Sequence, residues 1–325
     1  MHRRLSLISA VFAVAGMMSQ ASAASAAPPT AKAAPRIVCE FVPGDGGSFA
    51  ESLVLGARGD LFASVTDWMP DGVADVGRIW RIHAGALQRF GPELDAGGGL
   101  LTGLATDDEG NLYVGDATFG YDTAPGVFRI DPAGSLTRVL TLPDWTFPNG
   151  LTFHAGYLYV SDSTGAIWRT RPGVGGEVQS TPWLADPSLA PSVGWEGVNG
   201  ITFAGNTLYA VNADTGTVLR LPLLGNGAPG PISTLISDPA LVTADGIALD
   251  PDGTLWIAVN HESGGALATV DRHGTLRVVA NDPTWLDYPS QPVFGPGRSP
   301  ILYVENGSLA NGTPDVIALD PRSLR

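Results

Sequence analysis

Six times along this chain a polar residue stands before a short apolar run, a Gly-containing turn and a Leu–aromatic–apolar triplet. The units are ESLVLGARGDLFAS (51–64), TGLATDDEGNLYVGDA (102–117), NGLTFHAGYLYVSDS (149–163), NGITFAGNTLYAVNA (199–213), DGIALDPDGTLWIAVN (245–260) and QPVFGPGRSPILYVEN (291–306). Their leading residues are Glu51, Thr102, Asn149, Asn199, Asp245 and Gln291, roughly 50 residues apart. Two weaker strand patterns follow each unit, as in GVFRIDPAGSLTRVLTL (126–142) and ALATVDRHGTLRVVA (266–280). A repeat therefore holds about four strands and no helical period. With 42 Gly, 26 Pro and only 15% charged residues, the composition suits short strands joined by tight turns. Four-stranded units repeated radially predict an all-β, six-bladed β-propeller of four-stranded antiparallel blades, one domain over residues 37–325.

The N-terminus has a different logic. Arg3 and Arg4 precede an apolar stretch from Leu5 to Met18, and small residues follow at Ala21-Ser22-Ala23 and Ala24-Ser25-Ala26. This is the three-part pattern of a secretory signal over residues 1–26, too short to span a bilayer comfortably. Residues 27–36 are expected to be an Ala/Pro-rich leader, and the mature chain to be secreted or periplasmic. The lone Cys39 rules out an intramolecular disulfide. A net charge of −14 disfavours nucleic acid and anionic membrane partners. The expected partner is a small molecule, and the expected state a monomer.

In a propeller the first strand of every blade runs along the central channel, so a residue leading that strand sits at the channel mouth. Glu51, Asn149, Asn199 and Asp245 would then meet around one point. Two carboxylates facing each other out of water raise each other's pKa unless a cation joins them. Four oxygen donors without sulfur or imidazole suit a hard cation, and adaptable coordination favours one central Ca²⁺ over Mg²⁺ or zinc. Taken singly, Asn149-Gly150, Asn199-Gly200 and Asp245-Gly246 read as turn dipeptides. Each repeat, however, carries its own hairpin turn about nine residues later, so the leading pair is a second feature.

The segments PNGL (148–151) and ADGIALDPDGTLWIA (244–258) resemble the senescence marker protein/gluconolactonase family, luciferin-regenerating-enzyme-like propellers akin to paraoxonase and diisopropyl fluorophosphatase. The resemblance implies a central Ca²⁺ held by Glu51, Asn149, Asn199 and Asp245, and hydrolysis of lactones, aryl esters or phosphoesters. It also implies that Asp245 acts as general base or nucleophile. A second calcium is left open, because the position three after the aspartate is Ala248. Thr102 and Gln291, leading the other blades, are expected to touch substrate, as is His261 from a strand end. Trp145 and Trp195, each four residues before a ligand asparagine, would wall an apolar pocket. The expected function is thus an exported Ca²⁺-dependent lactone or ester hydrolase. The rivals are a non-catalytic binding propeller and a strictosidine-synthase-like or isomerase activity on the same fold.

Overall fold

A computed structural model of the chain describes residues 35–42, 47–67, 76–95, 99–118, 123–173, 176–261, 264–297, 301–308 and 312–324. The signal assigned to residues 1–26 lies outside them. Six sheets are formed, antiparallel except for one short parallel pairing of Glu177–Val178 on Leu136–Thr141. The first strands are Ser48–Leu55, Leu100–Thr106, Pro148–His154, Val198–Ala204, Ala244–Leu249 and Pro289–Phe294. Contacts run from each of these to the next and from the last back to the first, which closes a six-bladed ring. Two blades carry a fifth short segment: Leu94–Asp95 in the first and Glu177–Val178 in the second.

Several hairpins form where the sequence puts Asp-x-x-Gly. Asp250 Oδ1 accepts from the backbone N–H of Asp252 and Thr254 at 2.8 and 2.9 Å, and Gly253 takes φ +84°. Asp107 and Asp131 make the same local bonds, which compete with extended pairing and so set the turn.

The core lies in the seams between blades rather than at one centre. Tyr113 and Val127 of the second blade pack on Leu158 and Trp168 of the third. Trp256 and Leu267 of the fifth pack on Leu302 and Ile317 of the sixth. Both tryptophans are fully buried. Because each blade buries a face on either side, the strands read as short apolar runs.

The ring closes with a strand from the other end of the chain. Arg36–Glu40 pairs antiparallel with Asp315–Leu319 and supplies the outer strand of the sixth blade. Arg36, expected in the leader, already belongs to this strand. Its neighbour Phe41 is 1% exposed and joins Cys39, Leu61, Ala63 and Val316 in the seam between the sixth and first blades.

Candidate functional site

Every first strand carries a bulge near its start. Regular pairing breaks between Ala50 and Ser52, Leu101 and Leu104, Pro148 and Leu151, Val198 and Ile201, Ala244 and Ile247, and Pro289 and Gln291. A bulge leaves a residue unpaired and re-aims its side chain. The residues so released are Glu51, Thr102, Asn149, Asn199, Asp245 and Ser290. Ser290, not Gln291, holds this position in the sixth blade. A one-residue shift sends a side chain to the other face. Gln291 accordingly lines a cavity of about 420 Å³ beyond the bulges, with Leu53, Ile201, Phe203 and Phe294.

The Asn-Gly and Asp-Gly pairs are not turns; they lie inside strands. Their glycines answer to close approach between blades. A Cβ on Gly150 would sit 2.7 Å from the Asn199 carbonyl oxygen, and one on Gly200 would sit 2.3 Å from that of Asp245. On Gly246 it would lie 2.3 Å from the Ser290 carbonyl oxygen. Each glycine lets the next blade's polar residue approach the axis. We therefore expect Gly200→Ala to destabilise the protein by about 1–3 kcal/mol, the usual cost of overpacking, and to displace Asp245. Thermal unfolding checks the first effect and Ca²⁺ titration the second; unchanged values in both would refute the ring-packing account.

In the structure Asn149 and Asn199 meet on Glu196, and Glu51 and Asp245 lie close enough for their carboxyls to act on each other. Asn149 Nδ2 donates to Glu196 Oε1 at 3.0 Å, and Asn199 Nδ2 donates to the same atom at 2.8 Å. Asn260 Nδ2 donates to Asp245 Oδ2 at 2.8 Å. Burial pushes the Glu51 carboxyl well above the usual range, and the charges of Asp245, Glu196 and Glu305 push it further. Asp245 is raised by burial and then by Glu196. Glu305, fully buried, is raised by burial and then by Asp245. Burial lifts Glu196 to about 7, against the pull of the Asn149 hydrogen bond. Among the described residues no Lys, Arg or His forms an ion pair with any of these four carboxyls.

Such a group crowds carboxyls together with, among the described residues, no counter-charge beside them, an arrangement that ionises readily only if a cation joins it. Two buried oxygens of this cluster, Glu305 Oε1 and Asn260 Oδ1, have no hydrogen-bond partner among the described residues. Among the described residues no three His, Cys, Asp or Glu side chains form a ready metal group by themselves. Amide oxygens would have to complete a coordination shell, which suits a hard cation that tolerates mixed oxygen ligands. The donor set therefore fits Ca²⁺.

Other expected contacts fall elsewhere. Thr102 is fully buried and donates from Oγ1 to the Pro148 carbonyl at 3.0 Å, so it ties the second blade to the third instead of reaching the mouth. His261 is exposed, and because alternate strand residues face opposite ways, Asn260's turn toward Asp245 sends His261 outward. Trp145 is 60% exposed and lies over Trp168 of the third strand of its blade, at 6.4 Å between centroids. Trp195 stacks on Phe147 at 5.4 Å, two residues before Asn149. Glu196 and Glu305 escaped the sequence reading. Glu196 sits in an irregular loop without a repeat counterpart. Glu305 stands next to the end of a second strand, at a place where other blades carry Ser64, Gly115, Ser161, Val211 and Ala258. That single charge in an uncharged column was the signal available.

Comparison with known proteins adds the family. The model of a repeat of unknown function, DUF6923, matches residues 61–254, more than half of the chain. The chain belongs to this repeat family. The DUF6923 match begins at the second strand of the first blade and ends at the hairpin turn of the fifth. No curated protein matches. Among solved structures, a catalytically inactive virginiamycin B lyase from Staphylococcus aureus, solved with quinupristin, is similar at 14% identity and TM-score 0.55 over 86% of this chain and 98% of that one. The PQQ-bound aldose sugar dehydrogenase of Streptomyces coelicolor is similar at 15% identity and TM-score 0.56, over 90% of this chain and 99% of that one. A candidate 6-phosphogluconolactonase from Bacteroides uniformis is similar at 20% identity and TM-score 0.50, over 83% and 85%. Their chemistries differ, so the likeness fixes the fold alone. Among the described residues no helix is long and apolar enough to cross a membrane.

Proposed function

We propose that this DUF6923 protein is an exported, monomeric, Ca²⁺-dependent hydrolase of lactones or related esters. The observation that supports it most is the cluster of carboxyls at the blade entrances, which raise one another and, among the described residues, meet no cationic side chain. Glu51, Asn149, Asn199 and Asp245 would hold the ion. Bound there, Ca²⁺ would supply a Lewis acid for the substrate's carbonyl oxygen.

The chain's own residues would divide the remaining work. Asp245 accepts a proton from water as the water oxygen bonds to the acyl carbon, and returns it to the alkoxide as the ring or ester C–O bond breaks. Asn260 orients the Asp245 carboxylate through its 2.8 Å hydrogen bond. Asn149 and Asn199 cannot take a proton and serve as ligands; Glu51 brings the second charge. Phe147 and Trp195 present an apolar wall beside these groups, which favours an aromatic or alkyl substituent over a polar sugar lactone.

The test is turnover of a panel of γ- and δ-lactones, aryl esters and a phosphotriester. Chelation is expected to abolish activity on at least one lactone or ester, and added Ca²⁺ to restore it. Absence of turnover on the whole panel by the Ca²⁺-loaded protein would sink the reading.

A further inference from the structure

We propose that Glu196 is the positioning residue that decides which atom Asn149 and Asn199 offer to a cation. The inference rests on the metal reading above. One carboxylate oxygen, Glu196 Oε1, receives Nδ2 of both asparagines, which belong to adjacent blades. An amide carries its oxygen and its nitrogen on the same carbon, so holding Nδ2 fixes where Oδ1 faces. Left free, either side chain could turn its N–H groups to the ion and repel it.

The hold is double at Asn149, whose amide nitrogen also donates to Ser163 Oγ at 3.2 Å. Turning either amide over would break its bond to Glu196, and at Asn149 the bond to Ser163 as well. Oδ1 is thereby left facing away from Glu196.

Glu196 is itself well placed to do this. Its neighbour Trp195 stacks on Phe147, two residues before Asn149. On the other side the Gly197 N–H donates to the Ser163 carbonyl at 2.7 Å. A Cβ at Gly197 would lie 2.3 Å from the Leu189 carbonyl oxygen, so the loop is pressed onto its blade there. The glutamate therefore joins the entrances of the third and fourth blades from a rigid loop.

The experiment is calorimetric titration of the full protein with Ca²⁺, comparing wild type, Glu196→Gln and Glu196→Met. Both substitutions preserve side-chain length at a partly exposed position, and melting in chelator confirms that each folds. Gln retains an acceptor oxygen and loses the charge; Met loses both. Glu196→Met is expected to weaken Ca²⁺ binding by about 10–100-fold, as losses of outer-shell partners do, and Glu196→Gln by under about threefold. Equal weakening by both would show that charge alone matters, and no weakening by Met would show no role; either result overturns the proposal while leaving the metal reading standing. Failure of the wild type to bind Ca²⁺ would remove the metal reading and this inference with it.

Discussion

Asp245→Asn is expected to lower kcat on the best lactone or ester of the panel by about 10³-fold, within the range that positioned acid–base groups contribute. It should simultaneously raise the melting temperature of the chelated protein. Both effects follow from one charge. Asp245 is 4% exposed, and its carboxyl is raised by burial and by Glu196. Asparagine keeps the volume and one oxygen for the ion, but removes the proton acceptor and relieves repulsion among buried carboxyls. Activity falling while chelated stability rises is the signature of a group held at a cost for chemistry. A structural aspartate would show the opposite stability change. Turnover within tenfold of wild type, with metal binding intact, would exclude Asp245 as the base.

The largest expected effect on stability comes from the opposite end of the chain. Removing the residues through Phe41 deletes the outer strand of the sixth blade and uncovers the backbone of Asp315–Leu319. It also takes Cys39 and Phe41 out of the seam shared with Leu61, Ala63, Val65 and Val316. Truncating a buried aromatic alone costs about 3–5 kcal/mol, against a typical total of about 5–15. The loss of a paired strand on top of that is expected to leave a chain that does not melt cooperatively. The milder Phe41→Ala should remain folded and lose roughly 10 °C in Tm. A truncated protein with wild-type melting would show that the ring does not depend on this closure.

Much of the architecture is legible because it is local and repeated. Polar leader, apolar run, Gly-containing turn and Leu–aromatic triplet recur at a nearly constant interval, and each part acts within about a dozen residues. Six recurrences fix six blades. The same column brings Glu51, Asn149, Asn199 and Asp245 forward as candidates, and in the structure the two asparagines meet on Glu196 while the charge of Asp245 raises the Glu51 carboxyl. The register of the sixth blade was less legible. A bulge can release either of two adjacent residues, and only the pairing with Glu305 and Asn306 selects Ser290 over Gln291.

The residues that complete the site obey no period. Glu196 reaches Asn149 from an unrepeated loop 47 residues away along the chain. Asn260 meets Asp245 only because its strand pairs with the bulged one. Glu305 comes under the first blade only when the ring closes. The glycines after the leaders read as turn residues in one dimension and as contact points in three. By itself, then, the sequence determined the ring, its blade count and the column of polar entrances, because backbone propensity and hydrophobic alternation act over short separations. The tertiary structure alone decided closure by the N-terminal strand, the carboxyls joining the column and the direction each side chain takes. Those depend on which surfaces remain to be buried once the blades have packed.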